Sequence, residues 1–391
     1  MHARFPADME HFQTVRKRSL MLAEPLSDED CGAQSMPDAS PVKWHLAHTS
    51  WFFETFILER FEDGFLPFHP AFRVLFNSYY NGVGERHPRA RRGLLTRPSM
   101  REVLAYRANV DARMESLLAR GAGDELAQLV QLGLQHEQQH QELILTDVKH
   151  LLSCSALYPA YRADVPERAP PAAPLEWVRF DGGLADIGAD GEGFCFDNEL
   201  PRHKQFVAPF ALARRLVTNG EYLAFIDAGG YRDPALWLSE GWDWVQAHAI
   251  AHPLYWRCDD QGRWQEFTLH GMQPLDLARP VCHVSLYEAD ACARFMGARL
   301  PTEAEWEVAS SGDLAQLFGH CWQWTSSSYA GYPGYVTAPG ALGEYNGKFM
   351  LNQYVLRGSS SATPPGHARA SYRNFFPAAA RWQYTGLRLA H

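Results

Sequence analysis

The segment Leu134-Gln135-His136-Glu137-Gln138-Gln139-His140-Gln141-Glu142 places two imidazoles four residues apart. On a helix such residues project from one face, so both rings can meet a single metal ion. Spacing alone is a weak signal: with 17 histidines in 391 positions, roughly 0.7 such pairs arise by chance. His248 and His252 repeat the spacing, but Pro253 follows at once and no long helix carries them, so that pair reads as incidental. His136-Glu137-x-x-His140 also fits the zinc peptidase signature, in which the glutamate is the general base. A third imidazole is available upstream, in Trp44-His45-Leu46-Ala47-His48. His48 shares a helical stripe with Trp44, Trp51, Phe52 and Thr55, which turns it inward; His45 lies on the next stripe, and spacing does not choose between them. Three histidines from two helices facing one bundle interior form a site with open positions, suited to iron, zinc or another borderline metal.

The elements that must hold these residues are helical from Phe12 to Leu152, where long apolar-periodic segments contain few glycines. Four helices are expected. Ser40-Pro41 reads as an N-cap followed by proline at the first helical position, and Val42 to Phe61 then continues without a breaker until Gly64. The next helix starts at Ser99, with Val103, Val110, Met114 and Leu117 on one face. The last runs from about Asp124 to Leu152 and carries His136 and His140. Residues 158–174 are rich in proline and alanine, which places a linker between a domain at 1–157 and one at 175–391. The second domain reads as loop-rich α+β, with helical pattern only near Asn219 to Ala228 and Leu286 to Met296.

Bulk properties narrow the class. A net charge of −9 argues against a nucleic-acid binder that works by neutralising phosphates. The cluster Arg86, Arg89, Arg91 and Arg92, with Arg97 nearby, is suited to a small carboxylate or to a solvated basic loop. Seven cysteines without a Cys-x-x-Cys suggest neither a disulfide framework nor a zinc ribbon, and a reducing cytoplasm fits. The polar start, Met1 to Glu10, has no apolar core of a signal peptide, and no membrane span is expected.

Taken together, Trp44-His45-Leu46-Ala47-His48-Thr49-Ser50-Trp51-Phe52-Phe53-Glu54 and the His136 to Glu142 run resemble the ergothioneine-biosynthesis sulfoxide synthases of the EgtB type. The second half carries matching marks in family order: Pro280-Val281-Cys282-His283-Val284-Ser285, the run Ala298 to Glu307, Cys321-Trp322-Gln323-Trp324 and Thr385-Gly386-Leu387-Arg388. The resemblance implies a DinB-like four-helix bundle followed by a C-type-lectin-like domain of the formylglycine-generating-enzyme type. It implies Fe(II) on His48, His136 and His140, with O2 as co-substrate, and joining of a sulfur donor to imidazole C2 of hercynine (N-alpha-trimethylhistidine) as a sulfoxide. Gln139 matches a position that contacts hercynine, and Tyr79 and Tyr80 resemble tyrosines that one branch places beside iron, where a phenol can donate a proton. Arg73 and Arg89 are candidates for gripping the donor carboxylate.

The donor is read from a departure. In the branch that uses gamma-glutamylcysteine, the tract after Arg-Asn carries an aspartate and arginines; here it is Arg373-Asn374-Phe375-Phe376-Pro377-Ala378-Ala379-Ala380-Arg381. Free cysteine is therefore expected as donor, with Asn374, Phe375 and Phe376 lining a smaller pocket. Competing readings are gamma-glutamylcysteine or a selenium donor in the same reaction, a histidine-modifying relative, a zinc peptidase, and a non-enzymatic binding module. Formylglycine generation by the second domain alone is disfavoured, because no cysteine follows Cys321.

Overall fold

A computed structural model describes residues 9–80, 82–121, 123–338 and 346–391. The first eight residues of the polar N-terminal segment lie outside the described residues. Helices α1 (Met9–Ala23), α2 (Val42–Phe53), α3 (Met100–Ala119) and α4 (Asp124–Ser153) build the N-terminal bundle. Its core is apolar where the 3.6-residue period demands it: Val103, Tyr106, Val110 and Met114 of α3 are fully buried, and so is Trp51 of α2. Gly133 lets α2 and α4 approach closely, because a Cβ there would lie 2.8 Å from the Phe53 ring. That contact sits one helical turn before His136 and draws the two histidine-bearing helices together.

Two starts differ in their chemistry. Ser99 caps α3 with a reciprocal capping box to Glu102, as its sequence suggests. At α2 the N-cap is Pro41 and makes no side-chain cap bond. Ser40 is spent elsewhere: its N–H donates to Asp147 Oδ2 at 2.8 Å, and its hydroxyl accepts from Arg92 Nη1 at 2.9 Å. Past Phe53 the helix widens to a π-helical turn, Glu54–Leu58. Buried Glu54 accepts there from Tyr106 Oη at 2.7 Å and from the Phe68 N–H at 2.8 Å.

Between Cys154 and Glu176 the described chain forms no regular helix or strand. Beyond it come small antiparallel pairs, β1 (Trp177–Phe180) with β4 (Phe210–Ala213) and β2 (Gly183–Ile187) with β3 (His203–Val207). A three-stranded sheet follows, β5 (Trp256–Cys258), β6 (Trp264–Thr268) and β7 (Gly271–Pro274). The central sheet has the order β10-β9-β8-β11, built from Asn374–Phe376, Tyr354–Gly358, Trp322–Ser328 and Thr385–Gly386. Helices α5 (Asn219–Asp227) and α7 (Leu286–Phe295) fall where the periodicity places them, while α6 (Ser239–Ala247) and α8 (Glu303–Ala309) are additional.

The domain's polar core is an ion network. Glu303 receives Arg373 Nε at 2.8 Å and Arg357 Nη2 at 3.0 Å, and Arg357 also reaches Glu307 at 2.8 Å. Burial works to raise the Glu303 pKa, but Arg357 and Arg373 outweigh it and hold the group below its ordinary 4.5. A carboxyl depressed in the folded state contributes stability that is complete above its unfolded pKa and is lost as pH falls below it. The urea midpoint is therefore expected to fall as pH drops from 6 towards 3. Glu303→Gln should lower the midpoint at pH 6 and flatten that slope, both read by tryptophan fluorescence.

Candidate metal centre

Helix α2 contributes His48 and α4 contributes His136 and His140, all buried, with one ligand atom from each lying within 4.8 Å of the others. His48 Nε2 and His136 Nε2 stand 3.2 Å apart. That matches two nitrogens each about 2.1 Å from one ion and roughly 100° apart. His48 is sandwiched on its own helix, stacked on Trp44 at 4.5 Å and on Trp51 at 5.4 Å. Its Nδ1–H donates to the Phe76 carbonyl at 2.6 Å, which fixes the tautomer and leaves the Nε2 lone pair facing the other rings.

His140 is oriented by a relay. Its Nδ1 is 2.8 Å from His45 Nδ1, and His45 Nε2 is 3.0 Å from Asp147 Oδ2. His45 thus belongs behind the ligand set, supporting His140, with Asp147 anchoring the chain. Burial lowers the pKa of His48, His136 and His140, that of His136 to about 3, so all three imidazoles are neutral and carry lone pairs. Three neutral imidazoles, two of them with tautomers fixed by outer partners, are a donor set that fits a borderline divalent metal. Outer partners of this kind are worth about 10–100-fold in metal affinity. Asp147→Asn is expected to weaken metal binding by that order while the chain stays folded, as measured by competition with a chromophoric chelator.

Glu137, the residue a peptidase needs as its base, faces away from this cluster. Its carboxylate receives Arg16 Nη1 at 2.8 Å, Ser19 Oγ at 2.5 Å and the Arg107 guanidinium. Burial works to raise its pKa, but Arg107 and Arg16 outweigh this and pull it down to about 2. Glu137 is a structural anion of the bundle.

Tyr80 is buried, its ring 6.5 Å from His48 and 5.5 Å from Trp51. Asn77 holds its turn, accepting from the Tyr80 N–H at 3.2 Å and donating to the Tyr80 carbonyl at 3.1 Å. Tyr79 stacks on Tyr80 at 5.0 Å and meets the edge of Phe349 from the C-terminal domain. Gln139 donates from Nε2 to Tyr372 Oη at 2.5 Å, and its Oε1 is buried without a hydrogen-bond partner among the described residues. Asn374, Phe375 and Phe376 follow Tyr372 closely, on edge strand β10, with Phe375 stacked on Tyr329 at 4.1 Å.

Among the described residues neither Arg73 nor Arg89 bonds to a histidine of the cluster, although Arg89 is near enough to help lower the His45 pKa. The half-exposed Arg73 guanidinium pairs with Glu59 at 2.5 Å, and that of Arg89 with the Asp38 carbonyl. The buried member of the arginine cluster is Arg92, which lies 3.3 Å over the Trp44 ring that stacks on His48. His248 and His252 do not share a helix; the first caps the end of α6 and the second lies in the loop beyond.

Sequence reasoning missed Tyr372, Asp147 and Glu142. The Glu142 carboxylate, two residues past His140, accepts from Trp322 Nε1 at 2.6 Å and from Ser360 and Thr363 hydroxyls at 2.7 Å each. These donors come from the C-terminal domain and tie it to the helix that carries His136 and His140. A buried carboxylate on a helix's domain-facing side could have signalled such a tie, but its partners lie 180 or more positions away.

Comparison with known proteins agrees with this architecture. Residues 11–144 match the DinB superfamily, and residues 162–315 match the sulfatase-modifying factor enzyme 1-like domain. The hercynine oxygenase of Mycobacterium tuberculosis is 31% identical over 97% of both chains. The chain belongs to the hercynine oxygenase family. A second family member, from Mycolicibacterium smegmatis, is 30% identical over 96% of each chain. The formylglycine-generating enzyme of Thermomonospora curvata is 33% identical but covers only 40% of this chain, as expected for a likeness confined to the second domain. The hercynine oxygenase family is thus matched through both domains, bundle and lectin-like half together. No helix among the described residues is long and apolar enough to cross a membrane.

Proposed function

We propose that this member of the family is a sulfoxide synthase of ergothioneine biosynthesis, joining hercynine C2 to the sulfur of free cysteine with Fe(II) and O2. The single observation that carries the metal reading is the convergence of three buried, neutral imidazoles on one point. When bound there, Fe(II) would supply Lewis acidity towards a thiolate and electrons towards O2. His48, His136 and His140 would hold the ion, and the Phe76 carbonyl and the His45–Asp147 relay orient two of the rings.

The remaining residues bind and position. Gln139 is adjacent to His140, and its unpartnered Oε1 is an acceptor for a polar hydrogen of hercynine. Tyr372 fixes that amide by accepting from its Nε2. Tyr80 holds a phenolic proton at Oη on the bundle side of the site, with Tyr79 stacked behind it. The tract just past Tyr372, Asn374-Phe375-Phe376, carries no charged side chain that could hold a longer donor, which supports free cysteine. The buried ion pairs of Glu137 disfavour the peptidase reading, since a general base must be free to take a proton.

The test is anaerobic reconstitution with Fe(II), then oxygen uptake with hercynine and, in parallel, cysteine, gamma-glutamylcysteine or a selenosugar. Uptake with cysteine that yields hercynylcysteine sulfoxide by mass spectrometry is the expected result. Uptake with only one of the other donors overturns the donor assignment, and none with any donor overturns the function.

A further inference from the structure

Away from the three histidines, α4 and the C-terminal domain line an open cavity of about 710 Å³, whose lining includes none of His48, His136, His140 and Gln139. That volume is of the size that takes a small organic ligand. Lys149, near the end of α4, lines it with a side chain only 3% exposed. Its ammonium lies 2.8 Å from His283 Nε2, and Glu266 approaches no nearer than 3.6 Å. An ammonium has three donors, so this environment leaves hydrogen-bonding capacity unused. Tyr384 also lines the cavity, and its hydroxyl is buried with no hydrogen-bond partner among the described residues.

Charge points the same way. Five lysine or arginine and two glutamate side chains line the cavity, in a chain whose net charge is −9; of these, Arg215 and Arg279 are paired with Glu221 and Asp276. Arg162 and Arg168 at its rim are exposed and enter no ion pair among the described residues. The rest of the lining includes Leu145 and the Pro170–Ala173 segment, which adds apolar surface beside the cations. His283 adopts φ +64°, a conformation that a residue with a Cβ seldom takes, while packed between Tyr255 and Tyr384. The fold therefore holds a strained backbone that presents His283 to Lys149.

We infer that this cavity is a second ligand site for a small organic anion. Its carboxylate or phosphate would sit at Lys149 and Tyr384, and its apolar body against the Pro170–Ala173 segment. The site is independent of the reaction proposed at the histidines.

Isothermal titration of the iron-loaded full chain with hexanoate and with phenyl phosphate tests this, with hexanol and sodium chloride as neutral and ionic controls. Saturable binding of at least one anion is expected, at least about tenfold tighter than either control, and the tighter anion identifies the headgroup. Lys149→Met should weaken it about tenfold or more. The surface pair Arg162→Gln/Arg168→Gln should weaken it about threefold and reduce its salt dependence, and this variant decides the matter if Lys149→Met does not fold. His48→Ala should leave it unchanged. Absence of saturable binding by both anions, equal binding of hexanol, or insensitivity to the arginine substitutions overturns the inference. Loss of binding in His48→Ala does so too, because it would place the anion at the metal centre.

Discussion

Alanine in place of His48, His136 or His140 is expected to abolish iron retention and hercynine-dependent oxygen uptake, each by more than about a thousandfold, because even outer-shell partners are worth 10–100-fold. One nitrogen from each ring lies within 4.8 Å of the others, so loss of any one leaves two nitrogens where the site is built for three. His45→Ala is the informative control. His45 is as buried as the others and lies three residues from His48, but it meets His140 through Nδ1 and Asp147 through Nε2. It should lower metal affinity about 10–100-fold and leave catalysis at saturating iron largely intact. Iron stoichiometry by metal analysis and oxygen uptake with excess Fe(II) separate the two classes. If His45→Ala abolished uptake under excess iron while His48→Ala retained it, the ligand assignment would be wrong.

The choice between His45 and His48 shows what the sequence could and could not carry. Both lie on inward stripes of one helix, and the stripe that faces α4 is set by the rotation and depth of α2 in the bundle. That placement comes from contacts remote in sequence, such as Gly133 against Phe53 and the Phe76 carbonyl on His48. Only the resemblance selected His48. Long elements were legible because apolar periodicity persisted over many turns, as in Asp124–Ser153. Short ones were not, although α8 announces itself with a capping box between Thr302 and Glu305. The Ser40-Pro41 start misled for a different reason: a nearby aspartate and arginine captured the serine that would otherwise cap the helix. Gln139 was singled out only by the resemblance, and its partner Tyr372 stands 233 residues away, where no local pattern encodes such a pairing. Arg73 and Arg89 were candidates for the donor carboxylate because a guanidinium can grip one bidentately; in the structure they meet Glu59 and the Asp38 carbonyl, pairings that no local pattern encodes.

Glu137→Gln separates the metal-oxygenase reading from the peptidase reading by a different quantity. In a peptidase the substitution removes the base and leaves the fold alone. Here Glu137 is fully buried and neutralises two guanidiniums that are themselves buried, Arg16 and Arg107. Arg107 also donates to Thr49 Oγ1 at 3.0 Å and to the Arg16 carbonyl at 2.8 Å, and Arg16 also reaches Ser50 Oγ at 2.9 Å, so the carboxylate ties α1 and α3 to the histidine-bearing helices. An amide keeps the shape but leaves excess positive charge in the bundle interior, at an expected loss of about 3–5 kcal/mol. Asp111, 2.5 Å from Arg16 and partly exposed, compensates only one of the two cations. The urea midpoint of Glu137→Gln should therefore fall sharply, while the fraction still folded and loaded with iron turns over at close to the unsubstituted rate. Unchanged stability with activity abolished would restore Glu137 as a base and sink the structural assignment.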